Sequence, residues 1–494
     1  MKRYSYVAAV LLGLIVAQIL ATVQVYLSNI RLYRTLVAIS DAGYLTIPNQ
    51  RIMPTLLGFA SAFFGGLFFA LSVGAFITLL TLGAVWLWDR LFYRNRYVMI
   101  LLIAIWAGCL VMVNIRGIDL MVSAYFLLVP CTVFFVILRR MPAGSSKKKW
   151  RDGIACVGPV LFLAALWFTQ MGSHLFLDIR DHLLLSNRFG TMINDFYYAY
   201  TLYPAEVFKS LDQKVLKTYR LEHIQDNSLA ESIERRLVNY DYLRIEGDSP
   251  VDMTVEQKGD NLAFKGRERE ILEVNTRSFF SKTGRLLREF SEKSDKHRFF
   301  RRFTFFSLLM GFPIILYAFL FFSFQAGTGF FLSRGASSMC ASALCLAIGI
   351  ALFAFFVQSR VKSAEIGDVA VALESERWQE RMAALKLVEK SGKEVSDFRA
   401  YRTIIKSPRI PVCYWLARSL GVSRNPDTYD DLVGLLDDPH PNVVSMAFYA
   451  LGKRGDKRAI SVILKGIESS HDWYNQWYAY RALRSLRWKQ TGLK

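Results

Sequence analysis

No Asp, Glu, Lys or Arg lies in the middle of any long apolar run of this 494-residue chain. Ion carriers and proton pumps usually need ionisable groups at depth, so their absence counts against a proton- or ion-coupled transporter. Catalytic signatures are missing too: there is no Gly-rich phosphate loop, no G-x-S-x-G and no H-E-x-x-H. The six cysteines, at 109, 131, 156, 340, 345 and 413, form no CxxC pair. Neither a disulfide framework nor a cysteine zinc site is indicated. Acidic residues are scarce, 41 Asp and Glu against 61 Lys and Arg. In a soluble protein the resulting charge of +20 would suggest nucleic acid, but no recognition motif accompanies it. Much of the excess flanks apolar runs, as in RRMPAGSSKKKWR and KSDKHRFFRRF, where anionic head groups and the positive-inside rule explain it. The expected partners are therefore lipid and protein rather than nucleic acid, and no cofactor is indicated.

What the chain has in quantity is apolar sequence, 53% of its residues. Uncharged runs of about 18 residues or more signal membrane-spanning helices. They predict spans near 5–27, 54–88, 97–115, 118–138, 153–171, 303–325 and 338–358. The first run is longer than the roughly 7–15 apolar residues of a signal peptide and lacks an A-x-A site, which favours a retained span. The second would reach about 50 Å as a helix, against a bilayer core of about 30 Å. It predicts either a tilted helix extending into the interface or a short hairpin. Pro130 and Pro313 are expected to kink their helices. Short basic loops at Arg90, Arg94 and Arg96 and at 139–152 fall on the side of Lys2 and Arg3. That makes the N-terminus cytoplasmic and residues 172–302 external, periplasmic in a bacterium. Lys293, Lys296, Arg298, Arg301 and Arg302 sit against that rule, although long loops cross regardless of charge.

Between the fifth and sixth spans the sequence predicts a small α+β module. Pro204 suits a helix start, Ser228 and Glu231 form a capping box, and VDMTVEQ-KGDN-LAFK reads as a β-hairpin. A helix is expected to follow through REREILEVNTRSFF. Ahead of the module, 172–204 reads as an amphipathic collar at the membrane surface.

Near the C-terminus two stretches align with a spacing of 31 residues: Pro408 with Pro439, Val412 with Val443, Leu420 with Leu451, Gly421 with Gly452. A third unit follows with Ala479, Ala482 and Leu483 in place, and a looser one precedes. With its P-x-V-x-x-x-A-x-x-A-L-G pattern, residues 366–490 resemble the HEAT-like repeats of the phycobilisome-lyase type. The resemblance implies stacked helix pairs and protein binding. It implies no reaction, since nothing outside the repeats supports chromophore-lyase chemistry.

The fold class is thus a polytopic α-helical membrane protein of about seven spans, with a small α+β soluble insertion and a C-terminal α-solenoid of HEAT-like repeats. Its parts are a transmembrane bundle at 1–171, the collar and module at 172–302, a transmembrane hairpin at 303–358 and the repeats at 366–490.

Three residue groups invite function. His174, Asp178, Asp181 and His182 share a helical face and could hold a divalent metal, or simply form the solvated face of an interfacial helix. Phe196, Tyr197, Tyr198, Tyr200 and Tyr203 suit head-group depth, with Asn194 and Asp195 beside them as a polar pocket at the membrane rim. Trp473, Tyr474, Trp477, Tyr478 and Tyr480 give the last repeat an aromatic face. Such a face can seal the stack or bind a protein. The leading reading is a membrane-anchored docking or assembly protein. The alternatives are a transporter or permease subunit for a neutral or lipidic substrate, and a membrane-surface metal-dependent enzyme.

Overall fold

The apolar runs fold as long helices. A computed structural model describes residues 4–90, 92–140, 150–172, 174–266, 269–361 and 363–491. Lys2, Arg3, Lys147, Lys148 and Lys149, used above for orientation, lie outside them, as do the side chains of Arg90, Arg140 and Arg151. The first helices are α1 (Tyr4–Asp41), α2 (Phe59–Phe69), α3 (Ala75–Arg90), α4 (Arg96–Asn114), α5 (Leu120–Arg140) and α6 (Trp150–Thr169). The 54–88 run is not a hairpin: α2 passes through a π-helical turn at Ala70–Gly74 straight into α3. Among the described residues six helices, counting α2–α3 as one and including two later ones, are long and apolar enough to cross a bilayer. The seventh expected span corresponds to α6, whose described apolar part, Gly158–Thr169, is shorter.

The helix ends sort to two sides. At one end Ala9 of α1 clusters with Val85 of α3 and Val133 and Ile137 of α5. At the other, Asp119 ahead of α5 meets Lys296 at 3.0 Å. Arg360 there donates to Gln170, just past α6, at 2.9 Å. The soluble segments all gather at this second end.

The collar is α7 (Leu175–Ile179), a π-helical turn (Arg180–Leu184) and α8 (Arg188–Val207). Pro204 does not start a helix; it lies in the last turn of α8. The start is set by Asn187, whose side chain accepts from the Gly190 amide at 2.8 Å.

The module contains β1 (Lys217–Glu222), α9 (Asn227–Leu237), β2 (Tyr242–Arg244), β3 (Met253–Lys258), β4 (Asn261–Gly266), β5 (Arg269–Asn275) and α10 (Thr276–Ser294). The sheet order is β2-β1-β3-β4-β5, parallel on both sides of β1 and antiparallel thereafter. The hairpin forms as expected, with Met253, Val255, Leu262 and Phe264 inward. Two expectations fail nearby. The cap of α9 is Asp226, which accepts from the Ser228 amide at 2.8 Å, not Ser228 itself. Residues 269–275 are a strand, because the open edge of β4 takes Leu272 and Val274 opposite Phe264 and Leu262. Local helix propensity yields to that pairing, and Asn275 then caps α10.

Next come α11 (Arg298–Thr328) and α12 (Arg334–Ser359), the remaining two candidate spans. Helices α5 and α11 run on past Pro130 and Pro313. The C-terminal stack is α13 (Val369–Glu374), α14 (Trp378–Ser391), α15 (Tyr401–Ile404), α16 (Ile410–Leu420), α17 (Thr428–Gly434), α18 (Pro441–Arg454), α19 (Ala459–Ser469) and α20 (Trp473–Ser485). The 31-residue spacing has a steric cause. A Cβ on Gly452 would come 2.6 Å from Ala482 Cα, and one on Gly421 3.0 Å from Ala450 Cα. Each glycine lets the next repeat's helix cross at backbone distance. Val412, Leu420, Val443, Leu451, Ala479 and Leu483 are buried in one continuous core. That core also takes in Ile39, Ile47, Leu216, Leu243 and Ile245 from outside the repeats.

Candidate functional site

The repeats close on their own chain, and the candidate site is the polar seam where they do so. The π-helical turn widens the collar helix by one residue and turns Arg180, Asp181 and His182 all inward; such turns often mark functional positions. Gly190 permits the sharp return into α8, since a Cβ there would come 2.2 Å from the Leu183 carbonyl oxygen.

Asp181 is fully buried. Its Oδ1 accepts from Arg180 Nε at 3.0 Å and Nη2 at 2.6 Å. Its Oδ2 accepts from Trp415 Nε1 at 2.9 Å and faces Lys386 Nζ at 3.1 Å. Burial alone would raise this carboxyl; Arg180 and Lys386 overcome that and hold it below the usual carboxylate range. The Arg180 guanidinium lies 3.8 Å over the Tyr414 ring, and Lys386 and Arg418 flank Trp415 at 4.7 and 4.6 Å. Arg418 in turn is bidentate to Glu389, at 2.9 and 3.0 Å. Asp178 pairs with Arg360 at 2.6 Å.

This arrangement lends the metal reading no support. Among the described residues no group of three or more His, Cys, Asp or Glu side chains is placed to hold an ion. The carboxylates of Asp178 and Asp181 are taken by cations. The His182 ring is buried 6.0 Å from Trp378. Desolvation first, then Lys386, pushes its pKa down to about 4, so it is neutral at pH 7. His174 stands outside the buried seam, at the start of α7.

Along α8 the contact continues. Asn194, fully buried, donates to Asn442 Oδ1 at 3.0 Å. His440 Nε2 lies 3.5 Å from Asp195 Oδ1. His440 Nδ1 accepts from the Asn442 amide at 3.3 Å, which places the neutral ring's proton on Nε2. Burial lowers the His440 pKa despite Asp195 and Asp438.

Many of the aromatic side chains of the two groups pack on one another. Tyr198 packs on Tyr474 at 4.4 Å between ring centroids, and Trp473 Nε1 donates to the Tyr198 carbonyl at 2.6 Å. Tyr203 is buried and its hydroxyl lies 3.0 Å from Thr55 Oγ1. Tyr200 and Phe196 pack on Phe64. Tyr480, 1% exposed, donates to Asp241 Oδ1 at 2.6 Å, and Arg484 Nε reaches the same oxygen at 2.9 Å. So α20 packs on the collar and the module of its own chain, with Tyr480 buried in that contact. Tyr478 packs on Tyr474 and Trp477. Trp477, partly exposed, carries Arg481 at 4.6 Å over its ring.

One docked element carries no signal in the sequence, the α1–α2 connector. Asn49 Nδ2 donates to the Ile467 carbonyl at 2.8 Å, and its amide donates to Gln476 Oε1 at 2.8 Å. Gln490 brackets Leu45, accepting from its amide at 2.8 Å and donating to its carbonyl at 3.0 Å. Asn49, Gln476, Gln490, Lys386 and Trp415 look like ordinary surface or core residues in the sequence; only the fold brings them to the seam.

The geometry defines a helical chain whose C-terminal stack clasps its own collar, connector and module. Residues 401–484 match the family of HEAT repeats. No curated protein and no solved structure matches the chain. HEAT repeats point to protein–protein interaction or scaffolding.

Proposed function

We propose that this chain is a membrane-anchored docking or assembly protein, integral to a bacterial cytoplasmic membrane, with its soluble parts on one side and the periplasmic side favoured. The observation that carries this reading is the two-faced helix α8. One face, with Asn194, Tyr198 and Leu202, is held by the repeats and by α1–α2. The other exposes Phe189, Met192, Ile193, Phe196 and Tyr197 at 68, 61, 43, 45 and 48%. That spacing makes a single apolar stripe of the kind that lies at a bilayer surface. With α8 at the surface, the repeats are fixed beside the membrane rather than tethered to it. Arg94, Arg96 and Arg139 cluster at the opposite ends of the spans, as the positive-inside rule requires of a cytoplasmic face.

The surface left to a partner is the outer side of the stack and the Trp477–Arg481 pair. Crosslinking in native membranes, followed by mass spectrometry, is expected to join a second protein to residues 366–490. The combined variant Trp477→Ala, Arg481→Ala is expected to reduce that product about tenfold, as for an aromatic–Arg anchor. A stack that crosslinks only to its own collar, in both proteins, contradicts docking.

One observation favours a carrier for a neutral or lipidic substrate as the second reading. An apolar cavity of about 520 Å³ lies between α1 and α11, lined by Leu11, Leu14, Leu71, Phe312 and Phe319 among others. An unchanged partner crosslink on blocking this cavity with Leu14→Trp would separate the two activities.

A further inference from the structure

We propose that the basic pocket where α4 and α11 meet the soluble side binds the phosphate of an anionic phospholipid head group. The cavity measures about 260 Å³ and is lined by Arg116, Lys296, Arg298 and Arg302 on one part and Met112, Ile115 and Phe299 on the other. Lys296, Arg298 and Arg302 are among the residues whose charge ran against the positive-inside rule, and a bound anion gives that charge a partner.

Charge bookkeeping around the pocket leaves cations in excess. Asp119 is held by Lys296 at 3.0 Å, with His297 at 3.7 Å. Asp295 is engaged bidentately by Arg301, at 2.8 and 2.5 Å. Among the described residues Arg116 donates to main-chain oxygens, those of Glu292 at 3.2 Å and Asp295 at 3.3 Å. Arg298 and Arg302, one helical turn apart on α11, are exposed. Neither makes an ion pair or side-chain hydrogen bond among the described residues. Two unpaired guanidinium groups one turn apart match phosphate oxygens in charge and in fork geometry.

The apolar half of the pocket selects lipid over free phosphate. Met112 and Ile115 are 46 and 67% exposed. They continue the outer face of α4, of whose apolar window only 6% is buried within the chain. Leu101, Ile105 and Val111 are exposed along the same helix. A head group in the pocket would lay its acyl chains along α4, with its phosphate on Arg298 and Arg302.

This inference rests on the reading that α4 and α11 cross a bilayer, and the test keeps the two apart. The full chain is reconstituted in phosphatidylcholine discs doped with phosphatidylglycerol, and the lipids it retains are counted by native mass spectrometry. Phosphatidylglycerol is expected to be enriched over phosphatidylcholine. The enrichment is expected to fall about tenfold in Arg298→Gln, Arg302→Gln, and excess inorganic phosphate is expected to leave it intact. Both substitutions are at exposed, unpaired positions, so the double variant should enter pure phosphatidylcholine discs with an unchanged thermal midpoint. No enrichment, or equal enrichment in both proteins, overturns the lipid site while leaving the anchoring intact. Displacement by inorganic phosphate overturns the lipid source in favour of a free anion. Failure of the wild-type chain to enter any disc refutes the anchoring and the lipid site with it.

Discussion

Asp181→Ala is expected to destabilise the protein by about 3–5 kcal/mol, the cost of stranding buried charge when one partner of a buried ion pair is removed. Arg180 and Lys386 would lose their shared carboxylate inside the seam, and Trp415 Nε1 would lose its acceptor. The readout is the thermal midpoint for labelling Cys413, which is buried on α16 beside the seam. A change below about 1 kcal/mol, the range of exposed pairs, would mean that the seam is open to water. The pH dependence has a definite sign. Asp181 has a depressed folded pKa, so its contribution is present above the ordinary carboxylate range and is lost as pH falls through the folded value. His182 acts in the same direction at higher pH. Its unfolded form binds more protons between pH 6.5 and about 4, so stability declines on acidification across that window. His440, also lowered by burial, adds to it. Acid is therefore expected to loosen the repeats from the collar before it unfolds either.

Leu451→Ala is expected to cost about 2–5 kcal/mol as a large-to-small change in a close-packed core. Leu451 is fully buried on α18, next to the glycine that lets α20 cross. Because each repeat rests on its neighbours, hydrogen exchange should speed up in α16 and α20 as well as in α18. An effect confined to α18 would contradict a cooperative stack. The two substitutions also separate two energies: Leu451→Ala weakens the stack itself, whereas Asp181→Ala weakens its grip on the collar.

What could be read in the sequence was what depends on local period. Gly421 and Gly452 mark the repeat because the crossings of α16 with α18 and of α18 with α20 each bring backbone up against a glycine at the same place. The 253–265 hairpin announces itself by alternation, and the long helices by uncharged length. What could not be read depends on residues far apart in the chain. Asp181 resembled a metal ligand because its neighbours 174, 178 and 182 are the right types, but its donor Trp415 is 234 positions away. Strand β5 read as a helix because only β4's open edge makes it a strand. The aromatic residues of α8 and α20 each pointed to a partner, lipid for one and protein for the other. Tyr198 and Tyr474, with Trp473, largely satisfy each other. The apolar stripe of α8 is what remains of the first expectation, and Trp477 with Arg481 of the second.

The clasp of the HEAT repeats on the chain's own collar is open to direct test with a cysteine pair at Asn194 and Asn442, whose side chains touch at 3.0 Å. Native membranes carrying Asn194→Cys, Asn442→Cys would be oxidised and digested, and the linked peptides identified. A 194–442 disulfide within one chain is expected, formed to the same extent at low and high expression. A link found only between two chains, or no link with both thiols freely labelled in the folded chain, would contradict the clasp.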